Sequence, residues 1–207
     1  MKLQLSFIPS CIPIMGNKCR QKIYNSLTSK KTFFCFTASP NYVMQVNQGF
    51  GLDQNWQAYK YGFSDSNGGY WLGNENMYKM TNNGYQWNLC ADVKDELGIQ
   101  YYVLYTTYIM DAESAGYTYY LSGMIGAPID AMGPDNRKYK FTTKDKNNQP
   151  CCCANQATAC KGGWWYSCSI GGQMVILNGA GSSGFKYSLG PGTTIQVKRS
   201  YIRISQP

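Results

Sequence analysis

The run Gly162-Gly163-Trp164-Trp165-Tyr166 sits among five cysteines, Cys151, Cys152, Cys153, Cys160 and Cys168. Glycines let a backbone pass close to another surface, and each indole brings a large apolar face with a single donor. These residue types suit non-covalent recognition, in a stapled loop that holds aromatic faces for a ligand. They suit equally a disulfide-tied core corner that touches no ligand. Histidine is absent from all 207 residues, which removes Ser-His-Asp and Cys-His nucleophile pairs, His-ligated zinc and imidazole acid–base chemistry. Carboxylate pairs and lysine chemistry remain, and no spacing singles out either. Asp95-Glu96, the only adjacent acidic pair, reads as a turn. No enzyme is expected.

Nine cysteines in a chain of this size fit an oxidising, extracellular compartment better than the cytosol, and the odd count leaves at least one thiol free or paired between chains. Zinc held by thiolates is the rival reading, yet structural zinc sites usually use two separated Cys-x-x-Cys knuckles and none is present. The start, Met1-Lys2 followed by Leu3-Gln4-Leu5-Ser6-Phe7-Ile8-Pro9, resembles a poor secretory signal or the start of an internal fragment. No apolar stretch reaches the length of about 18 residues that a membrane span needs. Secretion is therefore expected mainly on the cysteines.

Net charge is +8, and the first acid is Asp53, so residues 1–52 form a distinct basic segment. A second basic group comprises Arg137, Lys138, Lys140, Lys144 and Lys146. Without a nucleic-acid motif, these read as solvated basic faces, and no nucleic-acid partner is expected.

The elements that must position the aromatic run are mainly strands. The 18 tyrosines, 22 glycines and only 14% charged residues suit a loop-rich β or α+β domain. Strands are predicted at Thr32–Phe36, Tyr85–Cys90, Gln100–Met110, Tyr117–Leu121, Tyr139–Thr142 and Ile195–Lys198, assembling as an antiparallel sheet. Short helices are predicted over residues 55–60, capped by Asp53, and over 70–80. The organisation expected is a basic segment 1–52 followed by a globular domain 53–207.

The order of motifs is specific. Trp56-Gln57-Ala58-Tyr59-Lys60-Tyr61-Gly62-Phe63 is followed by Gly69-Tyr70-Trp71-Leu72-Gly73-Asn74-Glu75, by Phe141-Thr142-Thr143-Lys144-Asp145, by Cys153-Ala154, and by the Gly-Gly-Trp-Trp-Tyr run with Cys168. This resembles a fibrinogen-related domain, the C-terminal globular module of fibrinogens, ficolins, tachylectins, angiopoietins and tenascins. The likeness is clear from about Asp53 to Cys168 and faint at both ends. It implies an α+β fold with a central antiparallel sheet, short helices and a loop-rich C-terminal recognition region.

The resemblance also implies a Cys153–Cys168 disulfide, worth about 3 kcal/mol in the chain-entropy model. A second would join Cys35 to Cys11 or Cys19, with Cys90, Cys151, Cys152 and Cys160 extra. The family's calcium run is altered here to Asp145-Lys146-Asn147-Asn148-Gln149. Asn147 and Gln149 keep amide oxygens but lose both formal charges, and calcium affinity follows ligand charge, so binding is expected to be weak or absent, with Asp145 the remaining carboxylate.

Ligand contacts carried over from lectin-type members fall on Trp165, Tyr166, Ser169, Phe185 and Tyr187, whereas Trp164 is expected in the core. The implied function is secreted, non-enzymatic, lectin-like binding of acetylated or related glycans or glycoproteins in innate defence. The alternative is a structural or signalling domain that binds a receptor or matrix protein. Any oligomer must use the globular domain or a spare cysteine.

Overall fold

The structure, a computed structural model, describes residues 19–24, 32–37, 41–127, 130–132, 139–149, 154–167, 175–190 and 192–207, the first two stretches and position 183 by their backbone alone. Cys11, Cys153, Cys168 and Ser169 lie outside the described residues, as do the side chains of Cys19 and Cys35, so both implied disulfides fall there.

Strands β1 (Cys19–Tyr24) and β2 (Thr32–Thr37) pair antiparallel as a separate ribbon. The remaining strands build one sheet. β3 (Asn41–Asn47) leads to helix α1 (Trp56–Tyr61), the short strands β4 (Phe63–Ser64) and β5 (Tyr70–Trp71), and helix α2 (Asn74–Thr81). A meander follows, of β6 (Asn88–Asp95), β7 (Gln100–Met110) and β8 (Tyr119–Ile125). Helix α3 (Gln156–Cys160), β9 (Val175–Ile176), helix α4 (Gly181–Gly184), β10 (Lys186–Gly190) and β11 (Thr193–Ser205) complete the chain.

The main path runs β4-β5-β3-β11-β6-β7-β8, with β10 on the early part of β11 and β9 on β10. β11 is the spine: Ile202 lies opposite Gln45 on one side and Ala91 on the other. Because β3 is an inner strand of this sheet, the boundary expected between residues 52 and 53 falls inside one structural unit.

Local chemistry explains where the elements depart from the sequence reading. Asn55, not Asp53, caps α1, its side chain accepting from the Ala58 N–H at 2.9 Å. Tyr70 and Trp71, expected in a helix, instead pair with Gln45 and Val46, and α2 starts only after Gly73, whose φ of 104° a side chain would strain. Tyr117 adopts φ 52°, outside the β region, so β8 begins two residues later than expected. β6 starts at Asn88 rather than Tyr85. Tyr139–Thr142 forms no strand; Thr142 makes a lone bridge to Trp164. β7 matches its predicted limits, and the Asp95 turn is held by its carboxylate accepting the Ile99 N–H at 2.7 Å.

The core is aromatic. Trp71, Trp164, Trp165, Tyr59 and Phe141 are all buried. Each such ring removes about 150–250 Å² from water, worth at most about 4–6 kcal/mol at 25 cal/mol per Å².

Candidate recognition site

The loop-rich end is built around residues 162–166. Helix α3, capped by the Asn155 side chain on the Ala157 N–H at 2.9 Å, ends at Lys161 in the left-handed region, and the chain then enters the two glycines. A Cβ at Gly162 would collide with the Asn178 carbonyl oxygen, and one at Gly163 would lie 2.6 Å from the Tyr59 ring. Both glycines are therefore demanded by close packing. The backbone here is pinned by buried side chains: the Gly163 N–H donates to the Tyr59 hydroxyl at 2.8 Å, and Asn178 Nδ2 donates to the Gly163 carbonyl at 2.8 Å.

The aromatic candidates lie behind this surface. Trp165 is 1% exposed, with its indole N–H donating to the Tyr117 carbonyl at 2.7 Å and its ring edge-on to Tyr119 and Phe141. Tyr166 is fully buried and donates to the Gly162 carbonyl at 2.6 Å. Phe185 and Tyr187 are each 2% exposed. Walls of an open cage need a broad face toward solvent, and none of these four is more than 2% exposed in the described structure. Trp164 is in the core as expected.

The altered calcium run is closed on itself. Asp145 Oδ1 accepts from the Trp56 N–H at 2.8 Å and the Thr143 hydroxyl at 2.7 Å, tying the loop to the first turn of α1. Asn147 Oδ1 accepts from the Gln149 N–H at 3.1 Å, and Gln149 Oε1 accepts from the Gln156 N–H at 2.9 Å. Among the described residues no three Asp, Glu, Cys or His side chains converge as a metal site.

The charged groups near this end serve structure. Glu113 accepts from the Trp56 indole N–H and from Lys60 Nζ, each at 2.6 Å, and Lys146 Nζ sits 3.8 Å from the centroid of the Trp56 ring. The Lys60 hydrogen bond, helped by that of Trp56, holds the Glu113 carboxyl below the usual carboxylate value, and Glu113 in turn raises Lys60. Burial pushes the Cys160 thiol up, opposed by the neighbouring Tyr166 hydroxyl and the Lys186 charge. Cys160 is a free, buried thiol, whereas Cys90 is disulfide-bonded.

Sequence reasoning passed over Asn47. It is 1% exposed, donates to the Leu177 and Gly179 carbonyls at 3.0 and 2.8 Å, and accepts from the Gly49 and Gly51 N–H groups at 2.9 and 3.3 Å. The signal was present as Asn47-Gln48-Gly49-Phe50-Gly51, an asparagine heading alternate glycines, the pattern of a side-chain-closed loop.

A large antiparallel sheet with short helices, carrying a loop-rich end on a buried aromatic frame, defines an α+β globe of the fibrinogen type. The family model described as fibrinogen beta and gamma chains, C-terminal globular domain, matches residues 41–195, and the chain belongs to that family. It is 36% identical to a techylectin-like protein of Phoneutria nigriventer over 114 residues, 55% of this chain and 43% of that protein. Human angiopoietin-2 is 33% identical over 115 residues, 56% of this chain and 23% of that protein. The chain thus covers under half the length of these relatives. The fibrinogen-like globe domain of human ANGPTL2 superimposes with a TM-score of 0.69 at 25% identity, covering 91% of this chain and 92% of that one. No helix among the described residues is long and apolar enough to cross a membrane.

Proposed function

We propose that this domain is a secreted, extracellular recognition module that binds glycans, acetylated sugars first among them, without chemical turnover. One observation carries the reading: the described loop segments around residues 49–52, 162–163 and 177–179 are preorganised by the buried side chains of Asn47, Tyr59 and Asn178, each bonded to backbone groups. Loops already fixed in place lose little entropy on binding, which favours recognition of a rigid, polar ligand. The lectin-like relative supports the same reading. Calcium is expected to bind weakly or not at all, because Asn147 and Gln149 carry no charge and their amide oxygens each already accept a backbone N–H. Retention on an N-acetyl-sugar column and signals on a glycan array are expected; absence of both sinks the reading.

A second reading is favoured by the burial of Trp165, Tyr166, Phe185 and Tyr187. With those rings enclosed, the domain would engage a receptor or matrix protein through its surface, in keeping with the angiopoietin likeness. A partner interaction that free sugars leave unchanged separates the two.

A further inference from the structure

Between the loop after β3 and the start of β11 lies an open cleft of about 230 Å³. The buried side chains of Phe185 and Val197 close its inner side, and Gly49 and Gly181 leave its rim low. Phe50 stands on the wall with 64% of its surface exposed. Its backbone does not float: Asn47 clamps the flanking Gly49 and Gly51 N–H groups, and Phe50 bridges Ala180. Four polar side chains complete the lining, those of Gln48, Glu96, Gln196 and Lys198. None of the four is bonded to a described residue, and Glu96 and Lys198 form no ion pair with each other.

We infer that this cleft is a saccharide subsite, in which Phe50 stacks on the apolar face of one neutral pyranose ring and the four polar side chains bond its hydroxyls. A fixed, exposed phenyl beside uncommitted amides matches a ligand with one C–H face and a polar rim. One carboxylate against one ammonium leaves the cleft without net charge, which selects a neutral ring over a sulfated or sialylated one. The volume lies below the range of about 300–1,000 Å³ of sites for drug-sized ligands, so it takes one ring and not an extended peptide. The inference rests on the glycan reading but places the contact away from Trp165, Tyr166 and Tyr187.

The test is a titration of the full chain with glucose, galactose, mannose and N-acetylglucosamine, followed by amide chemical shifts, with sialic acid as the charged comparison. Shifts at Gly49, Gly181 and Lys198 with a neutral sugar are expected, together with at least tenfold weaker binding in Phe50→Ala and in Gln196→Ala. Phe50 is exposed, so an unchanged melting temperature verifies that its variant folds. Sugar-induced shifts confined to other residues, or undiminished binding in Phe50→Ala, overturn the subsite while leaving the glycan reading intact. Absence of binding to every sugar here and on the array overturns both.

Discussion

The Tyr59 hydroxyl and the Gly163 N–H are joined at 2.8 Å, and the tyrosine ring fills the space that any side chain at 163 would occupy. The same hydroxyl donates to the Leu52 carbonyl at 2.5 Å, so one side chain of α1 fastens two loops. Tyr59→Phe keeps the ring and leaves the Gly163 N–H unpaired in the core, while the Leu52 carbonyl retains the Gln54 N–H at 2.9 Å. A loss of about 1–3 kcal/mol is expected from urea unfolding, since a buried group left unpaired bears its full desolvation penalty. Gly163→Ala overpacks the same contact and is expected to cost about as much or more.

Asn47 joins residues 49 and 51 to residues 177 and 179. Asn47→Ala removes all four bonds while leaving β3 intact. Amide exchange at Gly49 and Gly51 is expected to rise well above that in β6 and β7, with global stability falling by at least about 1 kcal/mol. Unchanged protection at both glycines would refute the clamp.

Glu113 is held below its ordinary value by Lys60, and Lys60 is raised by Glu113. A lowered carboxylate stabilises above its unfolded value of about 4.3 and loses that contribution as pH falls through the folded value. The raised lysine contributes below its unfolded value and stops contributing as pH climbs through the folded one. Thermal melts of wild type and Glu113→Gln should therefore differ at neutral pH and converge in acid, below about pH 4. The gap is expected to be small, because both side chains are partly exposed, at 20% for Lys60 and 34% for Glu113.

Calorimetric titration with calcium is expected to show no micromolar affinity. Asn147→Asp restores one of the missing charges and should strengthen whatever weak binding exists. Tight binding by the unaltered chain would contradict the assignment of Asn147 and Gln149 to internal hydrogen bonds.

Part of this architecture was legible from periodicity. β7 could be delimited because eleven residues rich in tyrosine and threonine leave no other regular choice. Tyr70-Trp71 misled because helix and strand compete over so short an apolar run, and pairing with distant Gln45 and Val46 decided it. The glycine pair was conspicuous, but its reason depends on Asn178 and Tyr59, neither adjacent in sequence. Phe50 carried no sequence signal beyond its glycine neighbours.

The sequence by itself determined the family, through motifs whose residue types and order survive at modest identity, and the exclusion of imidazole chemistry, through the absence of histidine. It also determined that the calcium run lacks its usual charges. Only the tertiary structure decided which aromatics face solvent. Burial depends on contacts between residues far apart in the chain, so Trp165 and Tyr187 end in the core and Phe50 at the surface although all three are large aromatic residues beside or near glycines.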